Sequence, residues 1–282
     1  MCDASFAVRA EPITIDDPSD PRLDPYRDVR ERDLVGRKGR FVAEGRLVVA
    51  ALLAHARFRA TSVLVSPPAL DAIRPYLEAC PEPPPVYVAL VETMSAVAGF
   101  HIHRGCLAIG ERLDVLTTED LTRDPTPGLL VALEDLSNHD NVGGVFRNAA
   151  AFGARGVLLS PRCCDPLYRK AIRVSMACAL RVPFARSEAW DDDVDALGRA
   201  RYERVALVID PDARDIDEHA RTSPGRVALF VGAEGPGLTE TTVRRCDVRV
   251  RIPIANGVDS LNASVACAIA LHRYSHVAAR GS

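Results

Sequence analysis

The 282-residue sequence has little that would place it in or across a membrane. Its longest uninterrupted apolar stretch near the C-terminus, residues 265–271, is far shorter than the roughly 20 residues of a membrane-spanning helix. The N-terminal segment MCDASFAVRAEP has no apolar core of signal-peptide length. Hydrophobic residues nevertheless make up 48% of the chain and charged residues 26%, which excludes intrinsic disorder. We expect a folded cytoplasmic protein without a membrane segment.

Several motifs of common enzyme classes are also missing. The eight cysteines contain no C-x-x-C pair, and His272 and His276 have no evident third partner, so no metal site is predicted. The glycines of GAEGPG (232–237) fall as G-x-x-G-x-G, which does not match the dinucleotide fingerprint G-x-G-x-x-G. No G-x-x-x-x-G-K-[ST] is present. These absences argue against a nucleotide-dependent oxidoreductase and a P-loop NTPase.

Lysine is almost absent, since all but two of the 35 basic residues are arginines. The net charge of −3 hides a strong local asymmetry, with a balance of +5 over residues 161–186 and −7 over residues 187–220. A nucleic-acid-binding protein needs a positive face and not a positive total. The basic segment is therefore compatible with RNA binding, and equally with solvated helix faces.

The hydrophobic pattern divides the chain into four parts. Residues 1–30 are rich in Pro and Asp and predict an irregular extension, and residues 31–116 predict a small α/β domain. The polar segment 117–128 is interpreted as a linker. In residues 129–282 apolar strands alternate with helices, the last from about Ser260 to Tyr274. This alternation predicts an α/β domain with a parallel sheet.

Three segments of this second domain place small and polar residues at the ends of predicted strands. The segments are NVGGVFRNAAAFGARG (141–156), LFVGAEGPGL (229–238) and RIPIANGVDSLNASVA (251–266). Open α/β sheets bind ligands at the carboxyl ends of their strands. Each segment alone is a weak signal, and GAEGPG by itself is also compatible with an ordinary glycine-rich turn.

Together, in this order and spacing, the three segments resemble the motifs of the SpoU/TrmH family of RNA 2′-O-ribose methyltransferases, in the SPOUT or alpha/beta-knot superfamily. The resemblance covers residues 129 to about 275. It implies a deep trefoil knot formed by the second and third motifs. FVAEGRLVVAALL (41–53) is more weakly similar to the start of the family's ribosomal-protein-like substrate-binding domain.

The resemblance implies S-adenosylmethionine as methyl donor and a ribose 2′-hydroxyl of structured RNA as acceptor, with rRNA favoured over tRNA. Backbone groups at Gly232, Ile252 and Leu261 are expected to hold the cofactor. The family's catalytic set corresponds to five residues of this sequence: Asn141, Arg147, Glu234, Ser260 and Asn262. The resemblance also implies a homodimer, and no DNA partner is expected.

The roles of these residues are expectations of the same kind. Arg147 is proposed as the base in the family, but we expect it to hold an RNA phosphate and to stabilise the developing alkoxide. Glu234 is expected to accept hydrogen bonds from Arg147 or loop amides, and Asn141 to orient Arg147 or the target nucleotide. Ser260 and Asn262 begin the predicted last helix, where N-capping is the alternative role.

One departure from the family pattern lies in RVSMACALRVP (173–183), where Ala177 replaces a common glycine. This change is expected to affect the fit of RNA more than the chemistry. An alternative function from another class is an RNA-binding assembly factor with the same fold and weak or no turnover. The intact catalytic set argues against that alternative.

Overall fold

The chain forms two compact units that divide between Asp114 and Val115, with Leu167–Arg169 grouped with the first. The structure, a computed structural model, describes residues 11–27 and 39–278, with side chains to residue 275. The predicted extension 1–30 lies only partly within these ranges. Within it, the two-residue strand Ile13–Thr14 pairs with Tyr87 and Val88. The 3-10 helix Pro21–Tyr26 is held by the buried side chains of Leu23 and Tyr26.

The first unit is built around a five-stranded mixed sheet. Its strands are β1 (Ile13–Thr14), β2 (Arg40–Glu44), β3 (Phe58–Val65), β4 (Val86–Val88) and β5 (Cys106–Arg112). Its helices are α1 (Arg46–Leu53), α2 (Pro67–Ala79) and α3 (Val91–Ala98). The strand order is β1-β4-β3-β5-β2, and β5 is antiparallel to both of its neighbours.

Two local features of this unit differ from the sequence pattern. PVYVALV (85–91) suggests one long strand, but β4 ends at Val88 and α3 begins at Val91. Gly99 then ends α3 in the left-handed conformation, with φ +74°. In α1, Leu47 is 45% exposed although its spacing suggests an inward position. The buried face of α1 instead starts at Val48.

The second unit contains a seven-stranded sheet in which every pair is parallel. Its strands are β6 (Gly128–Leu133), β7 (Gly156–Leu159), β8 (Phe184–Arg186), β9 (Glu203–Leu207), β10 (Arg214–Asp215), β11 (Arg226–Val231) and β12 (Val248–Arg251). The order is β10-β12-β9-β11-β6-β7-β8. Both central strands β6 and β11 are buried along their whole length, as expected for a parallel sheet covered on two faces.

Eight helices of the described chain accompany this sheet, one of which, α6, begins in the segment grouped with the first unit. They are α4 (Thr118–Thr122), α5 (His139–Ala151), α6 (Arg169–Val174), α7 (Cys178–Arg181), α8 (Trp190–Arg199), α9 (Ile216–Thr222), α10 (Glu240–Arg245) and α11 (Ala263–Ala278). The α/β alternation with a parallel sheet agrees with the sequence prediction.

The segment interpreted as a linker, 117–128, contains α4 and belongs to the second unit. A capping box starts this helix, because the Thr117 hydroxyl accepts from the Asp120 amide while the Asp120 carboxylate accepts from the Thr117 amide. Leu121, only 7% exposed, joins the core between the sheet and α8. Burial of one leucine and a capped turn make this polar segment part of the folded unit.

The sequence pattern predicts one helix near 166–179, but the structure has two short helices there, α6 and α7. Met176 and Ala177 both lie in the left-handed region, with φ +51° and +67°, which no α-helix can contain. Ser175 stabilises the break: its hydroxyl donates to the carbonyl of Ile172 at 2.9 Å and accepts from the amide of Ala179 at 3.2 Å. The turn therefore presents Met176 to solvent while Ala177 is fully buried.

Candidate active site

A cavity of about 680 Å³ opens at the carboxyl ends of β9, β11 and β12. These three strands are neighbours in the sheet although other elements separate them in the chain. The lining comes from the ends of the three strands, the loop after β11 and the start of α11: residues 207–210, 231–238, 252, 254, 259–263 and 266. The site thus lies where open parallel sheets bind ligands.

The loop after β11 packs too tightly for a side chain at its first residue. A Cβ on Gly232 would lie 2.1 Å from the carbonyl carbon of Gly237 and 2.2 Å from the amide nitrogen of Leu238. The chain folds back so that Gly237 packs against the first residues of the loop, and its amide donates to the carbonyl of Ala233 at 3.0 Å. Gly232 is therefore required for the loop's shape, and the close backbone approach forms one wall of the cavity.

Asn262 connects the three chain segments of the site. Its Nδ2 donates to Oδ1 of Asn141 at 2.8 Å and to Oε1 of Glu234 at 3.2 Å. Its Oδ1 accepts from the backbone amides of Ser264 and Val265, the N-terminal turn of α11. One side chain therefore caps α11 and fixes the positions of two other predicted site residues.

Asn141 lies in the first turn of α5 and is only 3% exposed. Its Oδ1 accepts from Asn262, but its Nδ2 has no hydrogen-bond partner among the described residues. Neither Asn141 nor Glu234 hydrogen-bonds Arg147, which was one of two partners expected for each: Asn141 contacts Asn262, and Glu234 accepts from the same Asn262 amide. The Glu234 carboxylate thus accepts from a neutral donor directly before the start of α11.

The close packing of α5 on α11 brings the first and third motifs together. A Cβ on Gly144 would lie 2.8 Å from Cβ of Ser264, so only glycine lets the two helices approach this closely. Nδ2 of Asn148 donates to the carbonyl of Ser264 at 2.8 Å. These two contacts hold the N-terminal turn of α11 against the middle of α5.

The other predicted residues divide into two groups. Gly232, Ile252, Ser260 and Leu261 all line the cavity, as Glu234 and Asn262 do. Ser260 is exposed and lies outside α11, which begins at Ala263, so only Asn262 acts as its N-cap. Arg147 is exposed on α5, six residues after Asn141, and does not contribute to the cavity lining.

Glu134 is a buried site-supporting residue that sequence reasoning missed. It follows β6, is 4% exposed, and accepts hydrogen bonds from the amide and hydroxyl of Thr239 and from the hydroxyl of Thr242, at 2.7–2.9 Å. These contacts fix the start of α10 and, with it, the end of the 232–238 loop. A carboxylate directly after a fully apolar strand was the available signal.

Asp135, the next residue, joins the ends of β6 and β7. It accepts from the Ser160 hydroxyl at 2.9 Å and from the Arg162 guanidinium. The hydrogen bond from Arg162, followed by that from Ser160, keeps the pKa of the Asp135 carboxyl below its usual value despite partial burial.

The end of β9 was also missed as part of the site. Leu207, Val208, Ile209 and Asp210 line the cavity opposite the glycine loop. Asp210 is held there by Arg249, whose guanidinium donates to its carboxylate at 2.6 Å. The signal was the polar turn after the apolar run VALVI (205–209), but its importance depends on β9 lying between β11 and β12, which the chain order does not reveal.

Two features are absent from the described part of the chain. It contains no group of three or more His, Cys, Asp or Glu side chains that could hold a metal ion. No described helix has the length and apolar character needed to cross a bilayer.

Comparison with known proteins gives consistent results. Residues 128–272 match the model of the SpoU rRNA Methylase family. An uncharacterized tRNA/rRNA methyltransferase of Mycobacterium tuberculosis, Rv0881, is 39% identical over 261 residues, which cover 91% of this chain and 89% of that protein.

Solved structures share the fold. An rRNA methyltransferase from Sinorhizobium meliloti superposes with a TM-score of 0.76 at 21% identity, over 94% of this chain and 97% of that one. The SpoU methyltransferase AviRb from Streptomyces viridochromogenes, in complex with AdoMet, gives 0.76 at 19% identity, over 93% and 100%. The family match spans half of the sequence and the mycobacterial relative nearly all of it, and the chain therefore belongs to the SpoU family of RNA methyltransferases.

Proposed function

We propose that the protein transfers a methyl group from S-adenosylmethionine to a ribose 2′-hydroxyl of structured RNA, with rRNA favoured over tRNA. The observation that carries this proposal is the hydrogen-bonded set Asn141–Asn262–Glu234 at the edge of the strand-end cavity. It joins all three motif segments at one place, beside a space large enough for a cofactor.

The cavity suits the proposed methyl donor in size and lining. Its volume of about 680 Å³ is within the range of small-molecule sites, about 300–1,000 Å³. Ile252 and Leu261 supply apolar walls for an adenine, and Gly232 leaves backbone groups open to a bound ligand. When bound, S-adenosylmethionine supplies a methyl group already activated by its sulfonium.

The reaction breaks the sulfur–methyl bond and forms a bond from that carbon to the ribose 2′-oxygen, which loses its proton to solvent or to an RNA phosphate. The protein must bring the two atoms into line and stabilise negative charge on the oxygen. Asn262 and Asn141 fix the relative positions of α5, α11 and the glycine loop. We propose that Glu234 and Ser260, which line the cavity, contact the ribose.

Arg147 is proposed to bind an RNA phosphate and to stabilise the developing alkoxide. A role as neutral base is unfavourable, because guanidinium groups hold their proton far above neutral pH and the neutral form is therefore costly to reach. A neighbouring phosphate raises that cost, since it stabilises the cation. The exposed position of Arg147 on α5 fits contact with a large substrate.

Three further proposals concern assembly and topology. The cavity-lining segments 232–238 and 252–262 form the trefoil knot implied by the family, a proposal supported by the insertion of β12 beside β9. The first unit binds the RNA substrate. The chain acts as a homodimer, a proposal supported by the apolar side chain of Val265, 48% exposed on α11.

The test is transfer of radiolabelled methyl groups from S-adenosylmethionine to unmodified rRNA and tRNA transcripts, followed by nuclease digestion and mass spectrometry of the nucleosides. We expect 2′-O-methylated nucleosides from rRNA. Arg147→Ala should abolish transfer while calorimetry shows unchanged cofactor binding. Binding of both cofactor and RNA without any transfer would favour the assembly-factor alternative, and methylation of a base would refute the ribose assignment.

A further inference from the structure

The turn between α6 and α7 combines two features that the proposed chemistry does not explain. Two consecutive non-glycine residues, Met176 and Ala177, have positive φ values. Met176 is also one of the few large apolar side chains exposed in the described chain, at 46%. Strained backbone and exposed apolar surface both oppose folding, and such strain concentrates at functional sites.

This turn lies beside Arg147. A Cβ on Gly143 would lie 2.7 Å from the carbonyl oxygen of Ala171 and 2.9 Å from Cβ of Val174, so α5 contacts the end of α6 directly. Arg147 is four residues after Gly143, and it therefore lies on the same face of α5, one turn further on. The positive charges of Arg181 and Arg147 both act on the thiol of Cys178, two residues after Met176, so both guanidiniums lie near this part of the chain.

The chain segment that contains Met176 carries mainly basic side chains. Arg147, Arg173 and Arg181 are all exposed, and the segment 161–186 contains a single acidic residue. That residue, Asp165, lies close to Arg186 rather than on this turn. Arginine suits bidentate contacts with phosphate oxygens. An exposed apolar side chain in a region rich in exposed arginines matches a nucleotide, which offers a flat base between charged phosphates.

Helix α5 connects this turn with the cavity. Arg147 lies six residues along α5 from Asn141, or about 9 Å at 1.5 Å per residue. Asn141 in turn contacts Asn262 at the cavity edge. The same helix, α5, therefore contacts both the end of α6 and a residue of the cavity edge.

We propose that the exposed side chain of Met176 is the platform on which the base of the target nucleotide rests, with Arg147, Arg173 and Arg181 holding the flanking phosphates. The polarisable thioether fits any base face, so this platform positions the nucleotide without reading its identity. The buried Ser175 and Ala177 fix the strained turn that holds the platform outward. This inference rests on the proposed function, since it names the surface that receives the same RNA.

The experiment compares Met176→Ala, Met176→Leu and Arg173→Ala with Arg221→Ala as matched control. Arg221 is exposed on α9, which connects β10 to β11 at the edge of the sheet opposite α6 and α7. The RNA is the transcript that accepts methyl groups, or the unmodified rRNA transcripts if none does. The measurements are KM and kcat, RNA affinity by filter binding over a salt series, and S-adenosylmethionine affinity by calorimetry.

We expect Met176→Ala to weaken RNA binding and to raise KM about two- to tenfold, the effect of losing one contact between a thioether and a ring. Met176→Leu keeps an apolar side chain of similar size and should lose less than Met176→Ala. Arg173→Ala should lower the slope of log affinity against log salt by about 0.7–0.9, the loss of one phosphate contact. Cofactor affinity stays unchanged in all variants.

Equal RNA affinity of Met176→Ala and wild type would overturn the platform, and so would an equal loss of cofactor binding, which indicates a structural role. An Arg173→Ala slope equal to that of Arg221→Ala would overturn the phosphate contact. Absence of methyl transfer by the wild-type protein bears on the proposed function alone, because the binding series still tests the surface.

Discussion

Asn262 performs two tasks that substitutions can separate. Its Oδ1 caps α11, and its Nδ2 holds Asn141 and Glu234. Serine is as good an N-cap as asparagine, but its hydroxyl is too short to reach the other two side chains. Asn262→Ser therefore keeps the cap and removes the site contacts, whereas Asn262→Ala removes both.

The expected magnitudes follow from these contacts. Loss of the cap costs about 1 kcal/mol of unfolding free energy, so Asn262→Ala should be about 1 kcal/mol less stable than Asn262→Ser. Hydrogen bonds to a charged group contribute about 1.5–3 kcal/mol. If the bond to Glu234 orients the site, both variants should lose about 10- to 100-fold in turnover, at about 1.36 kcal/mol per factor of ten.

Urea unfolding and single-turnover methyl transfer measure the two effects on the same preparations. Serine should restore stability relative to alanine without restoring turnover. If turnover instead rises together with stability in the serine variant, Asn262 is only a helix cap, and the reasoning about the hydrogen-bonded set is wrong.

Three further predictions concern the glycine loop, the strained turn and an acid-sensitive contact. Gly232→Ala should weaken S-adenosylmethionine binding more than tenfold in calorimetry, because its Cβ would meet the backbone of Gly237; unchanged affinity would contradict the loop's role. Ala177→Val should lower the free energy of unfolding in urea by about 3 kcal/mol, since the larger side chain overpacks a buried site in a left-handed conformation. Ala177→Gly should change that free energy by less than about 1 kcal/mol, because the relieved strain offsets the lost methyl group. Asp135→Asn should be less stable than wild type at pH 7, but the difference in stability should shrink as the pH falls below about 4. The folded-state pKa of Asp135 lies below its unfolded value, so the stabilisation by its carboxylate is lost on protonation. A difference in stability that stays constant from pH 7 to pH 2 would argue against the Arg162 contact.

The sheet of the second unit was predictable where its strands are long. Continuous apolar runs such as LLVAL (129–133) and VALFV (227–231) indicate buried parallel strands, and β6 and β11 occupy them. The short edge strands β8 and β10 have two or three residues, too few to produce a periodic pattern. Strand order was not predictable, because it depends on contacts between segments far apart in the chain.

The sequence predicts which residues form the site better than it predicts the contacts between them. Gly232, Glu234 and Asn262 were found from their motifs, and all three line the cavity. Their hydrogen bonds were not predictable, since the expected donors to Glu234 were Arg147 or loop amides and the observed donor is the side chain of Asn262. The role of Glu134 was not predicted, because nothing in its local sequence indicates that Thr239, more than a hundred residues later, donates hydrogen bonds to it.

The cavity takes its walls from segments that end at residues 210, 238 and 266. During synthesis a ribosome releases these walls in succession, so a growing chain cannot hold its small-molecule ligand until nearly the whole second unit has emerged. Ligand capture then acts on finished chains alone, and by mass action it favours them over truncated or misassembled ones.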